Sequence, residues 1–128
     1  MAEQTSRAGT IVGLDLTVAD APGVRDFYAS VIGWAPEPLS MGSYDDYMML
    51  ANGEPVAGVC HRSGGNADLP AQWLTYIAVD DLRASLAQVT EHGGEVLRAP
   101  TTTAPGGFAL IKDPAGATLA LMQNPYAQ

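Results

Sequence analysis

The chain carries one segment twice. Residues 14–20 read Leu-Asp-Leu-Thr-Val-Ala-Asp, and residues 75–81 read Thr-Tyr-Ile-Ala-Val-Asp-Asp. Val18 and Val79 are 61 positions apart (79 − 18). Each copy joins an alternating strand to a helix that ends in glycine. A period of this size in 128 residues indicates two copies of one strand–helix–strands unit.

Composition bounds the class of protein. The chain has 128 residues, of which 47% are hydrophobic and 16% are charged, as in an ordinary globular domain with a real core. No apolar run approaches the ~20 residues that cross a bilayer. Residues 1–9 read as a loose polar tail without an apolar signal segment. We therefore expect one domain over residues 1–128 that resides in the cytoplasm and does not bind membranes.

Charge and cysteine content narrow the range of partners. The net charge is −8 and the 6 basic residues form no cluster, so nucleic acid is not expected as a partner. This acidity is typical of a solubility effect, and it would also favour a cationic ligand. The single Cys60 excludes an internal disulfide and a multi-cysteine zinc site.

The first copy predicts a strand followed by a capped helix. Residues 11–18 alternate, so one face of the strand is apolar and the other carries Gly13, Asp15 and Thr17. Asp20 is placed to cap the helix, with Pro22 just inside its start and Gly33 at its end. The helix residues predicted to be buried are Val24, Phe27, Tyr28, Val31 and Ile32.

Short strands complete each copy. In the first copy they are predicted at residues 34–40, 44–50 and 56–61, with Asn52-Gly53 as a hairpin turn. The second copy predicts strands at residues 73–79, 95–98, 108–111 and 118–122. Asp80 or Asp81 caps its helix, whose buried residues are Leu82, Leu86 and Val89. The modules then span about 9–62 and 72–123, with a linker at about 63–71.

These elements predict an α+β fold. Each βαβββ module forms a mixed four-stranded sheet with its helix on the outer face. Two such sheets side by side are expected to form a curved, bowl-like sheet whose inner face is lined by the alternate strand residues.

Several segments resemble the vicinal oxygen chelate superfamily, which includes glyoxalase I, extradiol dioxygenases and bleomycin resistance proteins. The resemblance covers residues 9–123 and is specific for the fold, whereas the superfamily hosts many chemistries. The matching segments are residues 15–20, 26–34, 56–59, 73–81, 93–96 and 112–123, the last reading Lys-Asp-Pro-Ala-Gly-Ala-Thr-Leu-Ala-Leu-Met-Gln.

The resemblance also implies where a metal ion would bind. Family enzymes hold a divalent ion with His or Glu side chains on inward strand faces. By register, the corresponding positions here are Gly13, Leu74, Ala120 and, more loosely, Gly58. A metal ion needs oxygen, nitrogen or sulfur donors, and none of these four side chains has one. We therefore expect no metal ion and no cofactor.

The inward set is mostly small and apolar with a few polar groups, as in a small-molecule pocket. Asp15 is the first candidate as a catalytic base or cation-binding carboxylate; a structural hydrogen bond is the alternative. His61 is the second catalytic candidate, against a role as a surface histidine. The residues expected to contact a ligand are Thr17, Tyr47, Cys60, Trp73, Tyr76 and Met122.

Two of these groups have structural alternatives. Cys60 is either a nucleophile or, more simply, a small buried hydrophobe. Trp73, Tyr76 and Tyr47 form either aromatic walls for a planar ligand or packing between the sheets.

Three functions follow. The first is a metal-independent protein of the glyoxalase and bleomycin resistance type that binds a small molecule, cationic or aromatic, without converting it. The second is a metal-free isomerase or lyase in which Asp15 or His61 moves protons. The third is a metal-dependent enzyme with non-family ligands, such as Asp15 with His61. The resemblance further implies a homodimer.

Overall fold

Alternation and helix capping produce two α+β units. The computed structural model describes residues 7–63 and 67–126, so most of the predicted tail and the middle of the linker lie outside the described residues. Of the described residues, those within Gly13–Trp73 form one compact unit, and residues 74–126 form a second together with residues 7–12. We call them the first and the second module.

The first module contains one helix and a mixed four-stranded sheet. Its elements are β1 (Ile11–Val18), α1 (Ala21–Ile32), β2 (Ala35–Ser40), β3 (Asp45–Ala51) and β4 (Glu54–His61). The strand order is β2-β3-β4-β1, in which β1 and β4 are parallel and the other pairs are antiparallel. Asn52 and Gly53 both have positive φ, 53° and 79°, as the tight β3–β4 turn requires.

The second module repeats this plan. Its elements are β5 (Leu74–Val79), α2 (Leu82–Glu91), β6 (Glu95–Arg98), β7 (Phe108–Lys112) and β8 (Thr118–Gln123). The order is β5-β8-β7-β6, with β5 and β8 parallel. At its edge the Gly9 N–H donates to the Ala78 carbonyl over 2.7 Å. The prediction of two βαβββ modules in an α+β fold is confirmed.

Helix ends follow the predicted capping residues. The Asp20 carboxylate accepts the Gly23 N–H over 3.0 Å, and Gly33 ends α1 with a φ of 88°. Of the two candidates for α2, the cap is Asp81, whose carboxylate accepts the Ala84 N–H over 3.1 Å. Among the described residues, neither helix is long and apolar enough to cross a membrane.

The buried stripe predicted for α1 is wrong at three positions. Phe27, Val31 and Ile32 are 57%, 64% and 51% exposed, whereas Val24 and Tyr28 are partly buried as predicted. Helix positions turn by about 100° per residue, so one flat sheet covers only a narrow strip of a helix. In α1 that strip is centred on Ala21, Val24 and Tyr28, and Phe27 lies on its flank. Val31 and Ile32 follow the strip but lie in the last turn of the helix. The stripe predicted for α2 packs in the second core.

The apolar core of the first module lies between α1 and one face of its sheet. Its fully buried side chains include Met49 and Val59, which pack with Ala21 of the helix. Burial of a side chain of this size contributes about 1.5–3 kcal/mol. The core therefore fixes which face of each strand meets the helix. The opposite face of this sheet, which we call the helix-free face, carries the polar residues.

Candidate functional site

Strand alternation gathers three of the predicted site residues on the helix-free face of the first module. In the parallel β1–β4 pair, Asp15 lies opposite Gly58 and Thr17 lies opposite Cys60. Neighbouring positions in β4 face the helix core, so these residues face away from it. Thr17 is buried at 4% exposure, and Asp15 and Cys60 are half-buried. The sequence therefore predicted the strands and the shared face of this cluster.

Gly58 makes room for the Asp15 carboxylate. A Cβ atom built on Gly58 would collide with Oδ1 of Asp15 and would lie 3.3 Å from its Cγ. The same point lies 3.7 Å from Sγ of Cys60. The carboxylate and the thiol thus share the space that a side chain at residue 58 would fill.

Asp46 is a further member of the cluster that sequence reasoning missed. Its Oδ1 atom accepts the backbone N–H of His61 over 2.8 Å, and its carboxylate also hydrogen-bonds the Cys60 thiol. Tyr47 pairs with Val59 across the β3–β4 hairpin, so Asp46 is next to Cys60 on the same face. The Asn52-Gly53 turn alone would pair Asp46 with Val59. A one-residue shift of register between Met49 and Leu50 brings Asp46 opposite Cys60 instead, and no sequence signal marked that shift.

Burial and the two neighbouring carboxylates make Cys60 a poor nucleophile. Burial, the charges of Asp15 and Asp46 and the hydrogen bond to Asp46 together raise the pKa of the Cys60 thiol to about 12. The thiol therefore stays protonated at neutral pH, and the thiolate is the form that attacks electrophiles. This placement favours a role for Cys60 as a polar, hydrogen-bonding lining residue.

Arg62 lies at the end of the β1–β4 pair, directly after β4. Its Nη2 atom donates to the Leu69 carbonyl over 3.2 Å and to the Thr17 carbonyl over 3.5 Å. Its Nε atom is buried without a hydrogen-bond partner. The guanidinium thus faces the backbone and is positioned to hold the β4 end near the 67–70 turn.

His61 and Tyr47 project from the other side of their strands. His61 lies opposite Val18, and its ring stacks on Tyr44 with centroids 5.0 Å apart. Tyr47 is 7% exposed and lies in the helix-side core under the Arg25 guanidinium, 4.7 Å from the ring centroid. Neither side chain therefore shares the helix-free face with Asp15.

Arg25 and Tyr47 border a shallow cleft on the helix side. Its volume is about 350 Å³, and two prolines of β2 also line it. Arg25 Nε pairs with Asp26 Oδ1 at 2.9 Å. This hydrogen bond raises the pKa of Arg25 and lowers that of Asp26. Asp26 pairs with the guanidinium, and the carboxylate of Asp45 also lines the cleft.

Trp73 lies in an aromatic cluster on the helix side. Its Nε1–H donates to the Tyr28 hydroxyl over 3.1 Å, and its ring meets those of Tyr28 and Trp34 at centroid distances of 5.3 and 6.0 Å. The cluster packs against the helix-side core. Of the two readings of Trp73, this contact set favours packing.

Tyr76 and Met122 lie in the second module on the face opposite α2. Tyr76 pairs with Ala120, and Met122 pairs with Ala78, whereas the alternate residues of these strands pack under the helix. Tyr76 is 7% exposed, and its ring meets Phe108 edge-on at 5.4 Å. These two residues were predicted to line a pocket, and the alternation that suggested it is present.

The residues present do not fit the metal ion that the resemblance implies. The four positions are Gly13, Leu74, Gly58 and Ala120, and none supplies a donor side chain. At Gly58 the space is already filled by Asp15. Within residues 7–63 and 67–126, no three His, Cys, Asp or Glu side chains come together as a metal-binding group.

Comparison with known proteins gives a family and a set of relatives. The sequence model of the Glyoxalase/Bleomycin resistance protein/Dioxygenase superfamily matches residues 10–121. A putative glyoxylase, CFP32 of Mycobacterium tuberculosis, is 36% identical over an alignment 123 residues long, which covers 91% of this chain and 46% of the relative. The anthracycline biosynthesis protein DnrV of Streptomyces peucetius is 29% identical over 122 residues, 95% of this chain and 44% of the relative.

The chain thus spans about half the length of these curated relatives. Among solved structures, the Mn(II)-bound glyoxalase of Novosphingobium aromaticivorans superposes with a TM-score of 0.55 at 20% identity. That match covers 94% of this chain and 40% of the other. At this identity the superposition supports the fold alone.

Proposed function

Because the chain belongs to the Glyoxalase/Bleomycin resistance protein/Dioxygenase superfamily, we propose that it binds a small molecule on the helix-free face of the first module, without a metal ion. The observation that carries this proposal is the position of Asp15 and Asp46, whose charges both act on the Cys60 thiol. Two carboxylates around one neutral group form a negatively charged, partly desolvated floor. Such a floor favours a ligand that brings a positive charge or several N–H donors.

The ligand class we propose is a planar aromatic compound that carries an amine. The amine would pair with Asp15 and Asp46, while the half-buried Met48 of the same face offers an adaptable apolar contact. Two relatives named as anthracycline biosynthesis proteins support this class, although the chain covers only 44% and 47% of their lengths. Anthracyclines combine an aromatic ring system with an amino sugar.

Calorimetry with daunorubicin and with its aglycone tests the proposal, because the aglycone keeps the aromatic rings and lacks the amine. We expect daunorubicin to bind about tenfold more tightly than the aglycone, since a partly buried charge-assisted hydrogen bond contributes about 1.5–3 kcal/mol. Asp15→Asn and Asp46→Asn should each reduce this ratio. Asp45→Asn is the matched control, because this neighbouring carboxylate is exposed and lies on the alternate side of β3.

Two results would contradict the proposal in different ways. Equal affinity for the two compounds would remove the amine from the ligand class. A thermal-shift panel of aromatic amines, simple amines and carbonyl compounds in which none raises the melting temperature would remove small-molecule binding itself, because any ligand of the folded state stabilises it.

A second candidate function is metal-free proton transfer. It is favoured by the shared space above Gly58, where a carboxylate that can accept a proton lies beside a protonated thiol that can donate a hydrogen bond. Asp15 would remove a proton next to a carbonyl, and Cys60 would hydrogen-bond the carbonyl oxygen. Exchange of that C–H proton with D₂O, measured by NMR on small ketones and abolished by Asp15→Asn, would support this function over binding alone.

We also propose a homodimer. The exposed apolar side chains of Phe27, Val31 and Ile32 on α1 support it, because large exposed apolar side chains are typical of contact surfaces. Light scattering during size-exclusion chromatography would distinguish a species of twice the 13.3 kDa chain mass from a monomer.

A further inference from the structure

We propose that Gly58 is a positioning residue: it holds the Asp15 carboxylate beside Cys60 and thereby sets the charge that a ligand meets on the helix-free face. The placement of the carboxylate is independent of what binds there. The consequence for the ligand rests on the function proposed above.

Residue 58 is a glycine because of the space around it. Among the described residues, seven other glycines, such as Gly33 and Gly53, have a φ between 79° and 100°, where side chains are disfavoured. Gly58 is not among them and lies within the regular strand β4, opposite Asp15. Backbone conformation therefore does not require glycine there. What requires it is space, since a Cβ would collide with Oδ1 of Asp15.

Asp15 and Cys60 share the volume that a side chain at residue 58 would occupy. The Cβ position of residue 58 lies against the Asp15 carboxylate on one side and 3.7 Å from Sγ of Cys60 on the other. Strand geometry also places Asp15 and Cys60 on the same face, one pair apart along β1 and β4. A methyl group at residue 58 would contact the thiol normally and would displace only the carboxylate.

Displacing the Asp15 carboxylate should leave the fold intact. The colliding atom is the end of a rotatable side chain and not backbone, so Asp15 can turn to another rotamer. Alanine is compatible with the extended backbone of a strand. Gly58→Ala should therefore fold, with the negative charge moved away from Cys60.

Cys60 itself reports where the carboxylate is, because it is the only cysteine in the chain. Its alkylation by iodoacetamide below pH 10.5 proceeds in proportion to the thiolate fraction. The Asp15 charge raises the pKa of the thiol, so removing or displacing this charge should speed the reaction. We expect both Asp15→Asn and Gly58→Ala to react about threefold faster or more, which corresponds to a pKa lower by about half a unit.

A double-mutant cycle separates a positioning role from a general structural one. If Gly58→Ala acts through the Asp15 charge, adding it to Asp15→Asn should give no further acceleration. Asp45→Asn, which removes an exposed charge nearby, should leave the rate at the wild-type value. The inference is overturned if Gly58→Ala reacts at the wild-type rate, or if it accelerates the reaction as much in the Asp15→Asn background.

A second variant tests the inference if Gly58→Ala proves unstable. In that case the double variant Asp15→Ala/Gly58→Ala should fold, because the colliding carboxylate is gone; a double variant that stays unfolded overturns the inference. Daunorubicin affinity separates the two proposals. If the alkylation rate of Cys60 does not depend on Asp15 and Gly58 together, the role of Gly58 is overturned. If it does, but the wild-type protein binds no daunorubicin, only the proposed ligand is overturned.

Discussion

Oδ1 of Asp46 accepts the backbone N–H of His61 over 2.8 Å, from one strand of the β3–β4 hairpin to the end of the other. The same carboxylate hydrogen-bonds the Cys60 thiol. One side chain thus ties down the last residue of β4 and polarises the residue before it. The two contacts of Asp46 can be separated by mutation. The amide oxygen of an asparagine can accept the His61 N–H as the carboxylate does, but it brings no negative charge to Cys60.

Asp46→Asn and Asp46→Ala should therefore differ in stability. Alanine leaves the part-buried His61 N–H without its acceptor and should lower the free energy of unfolding by about 1–2 kcal/mol. Asparagine keeps an oxygen acceptor and should cost less than half as much. Urea unfolding followed by circular dichroism measures both. Equal losses for the two variants would show that the charge of Asp46, not its hydrogen bond to His61, stabilises the hairpin.

The raised pKa of Cys60 predicts a loss of stability at alkaline pH. An unfolded cysteine titrates near 9, whereas the folded thiol titrates at about 12. Between these values the unfolded chain has released the proton and the folded chain has kept it. The free energy of unfolding should then fall as pH rises, by up to about 1.4 kcal/mol per pH unit, and this contribution should be nearly flat below about pH 8.

Cys60→Ser is the matched variant for this measurement, because its hydroxyl keeps a hydrogen-bond donor for Asp46 and does not ionise in this range. Urea unfolding at pH 8, 9 and 10.5 should show wild-type stability declining more than that of Cys60→Ser, by about 1–2 kcal/mol at the highest pH. Parallel curves for the two proteins would mean that the thiol is not buried between carboxylates as described.

The sequence was sufficient for the fold because the fold depends on local signals repeated twice. The alternation in residues 14–18, the Asp20 cap and the Asn52-Gly53 turn each specify structure within a few residues. Alternation also predicted that Asp15, Thr17 and Cys60 share a face. These relationships need only the period of a strand and a parallel pairing.

Contacts between distant residues could not be predicted in this way. Gln123 is an example: its Oε1 accepts the Leu82 N–H over 2.9 Å and its Nε2 donates to the Asp80 carbonyl over 2.7 Å, so it holds the start of α2 from 41 residues away. Burial on α1 failed for a related reason. Apolar spacing gave five inward residues, but the width of the sheet decides how many it covers, and Phe27 lies beyond it.

Tyr28→Phe tests whether Trp73 is a packing residue. The change removes the acceptor of the Trp73 Nε1–H while keeping the ring, so we expect a loss of about 1 kcal/mol in the free energy of unfolding. Small-molecule affinity should stay at the wild-type value, because this cluster lies on the helix side of the sheet. Calorimetry with daunorubicin checks the second point. A lower affinity with unchanged stability would show that Trp73 belongs to the ligand site.

Phe27→Ala tests the exposed flank of α1. Since Phe27 is 57% exposed, its removal should cost the folded chain at most about 1 kcal/mol at low protein concentration. Leu82→Ala at the fully buried start of α2 is the contrasting variant and should cost about 2–5 kcal/mol. If α1 forms the dimer contact, Phe27→Ala should also weaken self-association, measured by sedimentation velocity across a range of concentrations. A Phe27→Ala protein that dimerises as the wild type does would show that the contact surface lies elsewhere.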